Sequence, residues 1–369
     1  MFREIESRKS QEMERASSWS REGTLSFTAK GSRMRIGLVL VRNFLACAYS
    51  LFGYRETLER MGHDVIECAF PGNQVQVTPE IIAKVPTIEQ LLECDCVLLT
   101  YAEYTQPWIE QIYDFEQWQK LMGKVPVLAR FDESMDRGDL LLPHRLPKIK
   151  KWATHYSFPA AQDADKYGGE WLPYGADTTI FHPPDHADLD KFEKKYDLAF
   201  IGTLYQKRHD YLMKMAPHIG KNVTFHSGNV VVQDIGGIRE RETTELLAEN
   251  YRQIRIFFCL PPMSRLLVEK IFDIMACDTF VMYPCFPDID FQKNLSIFKG
   301  DKHIVYYDYG FYADNGKQVT HYLEHPEEVD RIARAGGELV RSKYTLEQML
   351  EAMLTQVRSV RESSHQVRV

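Results

Sequence analysis

Two stretches in the second half of the chain combine a glycine, cations and carboxylates at spacings that suit an anionic ligand. In Asp197–Arg208 (DLAFIGTLYQKR) an apolar run ends in Gly202-Thr203, and Lys207 and Arg208 follow. A strand–turn–helix of this kind offers backbone N–H groups and a helix N-terminus, both suited to an anion. Lys207 and Arg208 add charge and, in the arginine, bidentate donors. In Met263–Asp278 (MSRLLVEKIFDIMACD), Arg265, Glu269 and Asp273 recur every four residues. They therefore share one face of a helix, with Lys270 beside them. A cation near the start of such a helix holds a diphosphate, and a carboxylate one or two turns along takes both hydroxyls of a ribose. Plainer readings fit the same residues: an exposed basic first turn in the one case, an i,i+4 salt-bridge ladder in the other. A third stretch, Trp171–Pro183 (WLPYGADTTIFHP), sets Gly175 and Asp177 in a Pro/Gly segment. It suits a hinge, or a turn capped by the aspartate.

Placing such groups is the work of the surrounding elements. Met34–Val41 (MRIGLVLV) is a continuous apolar run, as a parallel strand covered on both faces requires. A helical pattern through Leu51, Tyr54, Leu58 and Met61 follows, Gly62 ends it, and His63–Phe70 is the next strand. The alternation continues with a helix at Thr87–Glu93, a strand at Cys96–Tyr101, a helix at Trp108–Met122 and strands at Val125–Phe131 and near Thr154–Phe158. Residues 181–196, rich in proline and charge, read as a linker. Beyond them, strands are expected at Tyr196–Gly202, Val223–Ser227, Ile254–Cys259, Thr279–Tyr283 and Ile304–Tyr307. Helices are expected at Arg208–Ala216, Thr243–Tyr251 and Leu267–Cys277, and two more, Glu327–Ser342 and Leu346–Ser363, close the chain. The expected fold class is α/β, with two Rossmann-like domains in tandem (34–180 and 197–345) and a cleft between them. Residues 346–369 form a helix crossing back to the first domain, and the closing helices brace the lobes. Residues 1–33, Ser-rich and charged, are expected to be a mobile extension.

Composition narrows the function classes. The 369 residues are 44% hydrophobic and 26% charged, which excludes a disordered, collagen-like or coiled-coil chain. A net charge of −7 argues against a general nucleic-acid binder. No apolar run approaches the ~18 residues of a spanning helix, and residues 1–33 lack the apolar core of a signal peptide, so a cytoplasmic protein is expected. The seven cysteines have no disulfide spacing, and most lie in apolar runs, as buried reduced thiols do. Cys94-Asp95-Cys96 has no second Cys/His pair to complete a metal site. Arg42–Ala46, after the first strand, lacks the glycines that bring a backbone against a dinucleotide pyrophosphate. The chain carries no P-loop, no nucleophile elbow and no H-E-x-x-H, so ATPase, serine hydrolase and metalloprotease readings lose their usual support.

Four stretches, in order, carry a family resemblance: LPYGADTTIFHP (172–183), YDLAFIGTLYQKR (196–208), EKIFDIMACDTFVMYP (269–284) and IFKGDKHIVYYDY (297–309). Together they span most of 171–345 and resemble glycosyltransferases of the GT-B type, most closely the CgeB-like (spore-maturation-type) group. The first half matches in fold pattern only. The resemblance implies transfer of a sugar from a nucleotide-diphosphate sugar, UDP-linked above all, to an acceptor hydroxyl, with no metal and no further cofactor. It implies that Lys270 contacts the donor diphosphate and Asp273 the ribose, with Gly202, Thr203, Lys207, Arg208, Arg265 and Glu269 on the same donor side. Related retaining enzymes often carry two glutamates eight residues apart. Here that pair is Arg265 and Asp273, and Asp278 replaces the usual glycine after Ala-Cys. Asp288-Ile-Asp290 is the nearest approach to a D-x-D metal pair.

On the acceptor side, in the first domain, an inverting enzyme needs a base at a strand end, and the candidates are Glu103, Asp132 and Glu133. Asp132 is preferred because it follows the buried-type run VPVLARF directly. A retaining enzyme would use the donor phosphate instead. The acceptor is a glycan, lipid, protein or small molecule. Two other readings stand beside it. One is a phage-type DNA glycosyltransferase acting on a hydroxylated base, with Lys148, Lys150, Lys151 and Trp152 toward the nucleic acid. The other is a two-lobed nucleotide-sugar binding protein without chemistry.

Overall fold

The structure, a computed structural model, describes residues 33–42, 49–71, 77–135, 142–184, 194–202, 204–219, 225–228, 240–260, 266–286 and 293–366. Nearly all of the expected N-terminal extension and the middle of the linker lie outside these.

The first lobe follows the order β1 (Arg35–Arg42), α1 (Tyr49–Arg60), β2 (Asp64–Pro71), α2 (Pro79–Ile82), α3 (Ile88–Leu92), β3 (Cys96–Leu99), α4 (Ala102–Ile112) and α5 (Phe115–Met122). It continues with β4 (Val127–Arg130), α6 (Leu142–Lys150), β5 (His155–Phe158), α7 (Ala161–Tyr167) and β6 (Glu170–Trp171). Its strands pair in parallel, in the order β2-β1-β3-β4-β5-β6. Alternate residues leave the sheet on opposite faces. Val39, Val97, Leu99, Val127 and Ala129 enter one core with Trp108, Trp118 and Trp152. Ile36, Leu38, Leu40, Cys96, Leu98 and Leu128 enter the other. Both faces are covered, which is why these strands read as unbroken apolar runs.

The second lobe runs β7 (Tyr196–Ile201), α8 (Gln206–Met215), β8 (Phe225–Gly228), α9 (Glu240–Arg252), β9 (Ile254–Phe258), α10 (Glu269–Ala276), β10 (Phe280–Cys285) and β11 (Val305–Asp308). It closes with α11 (Tyr312–Glu324), α12 (Pro326–Lys343) and α13 (Leu346–Gln366). Its sheet is also parallel, in the order β8-β7-β9-β10-β11. In each sheet the order changes direction beside the lobe's first strand, between β1 and β3 and between β7 and β9. Ligands of open α/β sheets bind outside the carboxyl ends of the strands at such switch points.

Helix α13 belongs by packing to the first lobe. Leu346, Met349, Leu350, Met353, Leu354 and Val357 share a core with Ile36, Leu38, Tyr54 and Leu58. The chain reaches it through a junction in which Ala176 N–H donates to Tyr344 O (2.9 Å) and Leu346 N–H to Ala176 O (2.8 Å).

Two readings of local structure are corrected. The helix expected over Trp108–Met122 is two helices, because Asp114 caps a new start: its Oδ1 accepts from Glu116 N–H and Gln117 N–H. Helix α11 was not foreseen. Asn315 and Gly316 are poor helix formers, but Asn315 Nδ2 donates to Tyr211 Oη (2.6 Å) and Asp308 O (2.9 Å), so tertiary contacts hold the turn. The basic stretch around Lys148–Trp152 is exposed at Lys148 and Lys151 and engaged elsewhere. Lys148 pairs with Glu110 at 2.6 Å, Lys150 donates to Tyr167 O, and Trp152 is buried with its carbonyl accepting from Trp118 Nε1.

Candidate functional site

The carboxyl ends of β7 and β9 hold two cations, Lys270 and Arg208. After Ile201 the chain turns at Gly202 with φ +152°, a conformation L side chains rarely adopt. Lys270, the second residue of α10, reaches over this turn. Its Nζ donates to Ile201 O at 3.1 Å and lies 5.7 Å from the Phe200 ring centroid. Arg208, in the first turn of α8, spreads over Phe200 and Tyr205 at 5.0 and 4.4 Å. Burial pushes the Cys259 thiol just beyond β9 up to about 11, and Lys270 and Arg208 pull against that rise. Both cations therefore act on the switch point, beside the start of α10. Lys207 is exposed on the same helix as Arg208.

One turn along α10, Asp273 is 3% exposed. Burial raises its pKa well above the usual carboxylate range, the charges of Glu269 and Asp177 raise it further, and Lys270 opposes them. Asp177, in the connecting segment, caps locally: its Oδ1 accepts from Thr179 N–H (3.1 Å) and Thr179 Oγ1 (2.7 Å). Its Oδ2 is buried without a hydrogen-bond partner among the described residues. Gly175 lies against the Thr345 backbone, at the junction that carries the chain back to α13. Asp278 adopts φ +53°, and Arg341 Nη1 binds its Oδ1 at 2.7 Å.

Across from α10, the ends of β3 and β4 carry a buried network. Tyr101 takes the left-handed conformation (φ 50°, ψ 52°) at the start of α4. Its N–H donates to Asp132 Oδ2 at 2.9 Å, and its hydroxyl donates to Glu269 Oε2 at 3.0 Å. Asp132 Oδ1 lies 3.3 Å from Arg130 Nε, both side chains being fully buried or nearly so. Asp132 N–H in turn donates to the Glu103 carboxylate (3.1 Å to Oε1), and Tyr174 Oη donates to Asp132 O. Burial pushes the Asp132 carboxyl up to about 6, with Arg130 and the Tyr101 amide opposing. Burial and then Asp132 raise Glu103 well above its ordinary value. The Arg130 guanidinium stands 5.2 Å over the Tyr174 ring, and Tyr174 faces Phe272 of α10 at 6.3 Å.

The structure thus gathers Gly202, Lys270 and Arg208 at one strand edge, with Asp273 and Glu269 on the adjoining helix. It sets Asp132 and Glu103 in the wall opposite. Both Asp132 oxygens face donors and Glu103 is wholly buried, so these two carboxylates hold backbone and side chains in place. Glu133 is buried beside them. Thr203, Arg265 and the Asp288–Asp290 pair lie outside the described residues. Tyr101, Tyr174 and Arg130 were missed. Tyr101 ends an apolar strand run, where an aromatic reads as core. Among the described residues no group of three His, Cys, Asp or Glu side chains is placed to hold a metal ion, and no helix is long and apolar enough to cross a membrane.

Residues 227–355 match the family described as Glycosyl transferase-like. No curated protein matches the chain. Among solved structures, sucrose-phosphate synthase (tll1590) from Thermosynechococcus elongatus superposes with a TM-score of 0.58 at 12% identity, over 90% of this chain and all of that one. Anabaena Alr3699/HepE in complex with UDP-glucose gives 0.61 at 11%, over 89% of this chain and all of that one. An alpha-glucosyltransferase in complex with UDP and a 13-mer DNA containing a central A:G mismatch gives 0.59 at 12%, again over 89% and the whole. At these identities the likeness is one of fold.

Proposed function

Starting from a GT-B fold with a glycosyl transferase-like C-terminal region, we propose that this chain is a glycosyltransferase of the CgeB-like group. It moves a sugar from a nucleoside diphosphate sugar to an acceptor hydroxyl. The observation that carries the reading is the closure of Lys270 on the Gly202 turn at the β7/β9 switch point. As the glycosidic bond breaks, the leaving diphosphate gains charge. A lysine, an arginine over aromatic rings and a helix N-terminus are fixed beforehand to receive it. Asp273 sits three residues from Lys270, one helical turn along, where it takes the ribose hydroxyls.

UDP is the nucleotide we favour, because Alr3699/HepE and the alpha-glucosyltransferase are both described in complex with it or its glucose conjugate. The acceptor we favour is a saccharide or similar hydroxyl compound. Trp152 is buried, which takes away the base-stacking side chain that the modified-DNA reading placed beside Lys148 and Lys151. The buried free thiols Cys68, Cys94, Cys96, Cys259 and Cys277 support a reducing, cytoplasmic setting.

The test is a thermal-shift panel of nucleoside diphosphates and their sugars, followed by nucleotide release from the best donor. A ligand at 100 times its Kd stabilises the native state by about 2.7 kcal/mol, so UDP is expected to raise Tm clearly. The reading fails when no diphosphate moves Tm. Binding without slow release of UDP from its sugar would leave a binding protein instead.

A further inference from the structure

We infer that Tyr101 is a positioning residue for transfer: its hydroxyl fixes Glu269, and with it the first turn of α10 that carries Lys270, to the facing lobe. The inference rests on the donor reading above.

Three features single this residue out. Its backbone is left-handed, which costs an aromatic residue energy that a surrounding structure must offset, and such residues cluster at functional sites. The offset is visible: Asp132 Oδ2 holds its amide, Arg130 Nε and the Glu103-bound N–H hold Asp132, and Tyr174 Oη holds the Asp132 carbonyl. Together they aim one phenol across the lobes at Glu269 Oε2, at 3.0 Å. Glu269 opens α10 and precedes Lys270, whose ammonium lies on the Gly202 turn. Fixing Glu269 therefore fixes the rotation of the turn that meets the diphosphate. A reacting sugar held by one lobe must meet an acceptor held by the other, and an error of about 1 Å in such an alignment costs about 100-fold in rate. The Tyr101–Glu269 bond spans that divide, from an anchor with four further hydrogen bonds behind it.

The experiment is a cycle of Tyr101→Phe, Glu269→Ala and the double variant. It reads kcat and KM for UDP-sugar hydrolysis and, without ligand, hydrogen exchange of the 269–276 amides. Tyr101→Phe keeps the ring, so its melting temperature should stay near that of the parent. The expected result is a fall in kcat of about tenfold or more, with KM changed only a few-fold. Tyr101→Phe should add less than about twofold in the Glu269→Ala background. Exchange at the start of α10 should quicken in the single Tyr101 variant. Unchanged kcat and exchange, or losses that simply multiply in the double variant, would overturn the inference. A parent protein that neither binds UDP nor releases it from a UDP-sugar overturns the donor reading, and the exchange measurement then still decides whether Tyr101 holds α10.

Discussion

The Lys270 ammonium occupies the space that a Cβ at position 202 would need, 2.9 Å from it. The glycine and the lysine therefore depend on each other. Gly202→Ala introduces a side chain at φ +152° and crowds Phe200 Cζ at 3.0 Å. The lysine tip is flexible and yields first, losing its bond to Ile201 O. A stability loss of about 1–3 kcal/mol is expected from the strained backbone. UDP affinity should fall by about tenfold or more, because the displaced charge no longer faces the diphosphate. Urea unfolding and calorimetric titration with UDP measure the two effects separately. Unaltered affinity in a destabilised variant would detach Lys270 from the phosphate.

Asp132 gives the fold a distinctive dependence on pH. Burial raises its carboxyl from 3.8 to about 6. Between those values the folded state binds more protons than the unfolded state, so this group's stabilising contribution is complete below about pH 4 and is lost as pH rises through about 6. The loss is on the order of 2–3 kcal/mol. Asp132→Asn removes that slope. It also presents an amide NH₂ to either the Tyr101 N–H or Arg130 Nε, both donors, and so destabilises outright. The deficit of the variant against the parent should be large at pH 4.5 and shrink toward pH 7. A deficit constant across that range would show that Asp132 does not change its protonation there.

How much of this was visible in the amino-acid order differs residue by residue. The strands were legible because both sheets are covered on both faces, which leaves unbroken runs such as IGLVLV and CVLL. Gly202 and Lys270 were legible too, since one ends a strand and the other opens a helix, and strand ends are where α/β sheets bind. Tyr101 was not. Its amide is held by Asp132, 31 residues away, and its partner Glu269 is 168 residues away. Asp132 and Glu103 were found by position, but the Tyr101 and Asp132 amides that they accept from were not visible. A strand-end carboxylate looks the same in sequence whether it faces a cleft or turns inward to backbone amides. The break at Asp114 was written in a good capping residue, yet the apolar spacing on either side fitted one helix.

Asp273 should separate ligand binding from fold stability. It shares a buried environment with Glu269 and Asp177, and Lys270 offsets only part of the repulsion. Its raised pKa means that ionisation works against the folded state, so its cost grows as pH rises above the ordinary carboxylate value. Asp273→Asn removes that cost at nearly constant volume. The variant should melt higher than the parent, and by a larger margin at pH 8 than at pH 5. The same substitution leaves one acceptor where a carboxylate offers two, so a ribose loses one of its paired hydrogen bonds. UDP affinity is then expected to drop by roughly 10-fold to 100-fold, the range for hydrogen bonds to a charged group. Inorganic pyrophosphate, which has no ribose, should bind parent and variant alike. Melting curves at the two pH values and paired titrations with UDP and pyrophosphate check all three. An equal loss for both ligands would place Asp273 at the phosphates rather than at the sugar of the nucleoside.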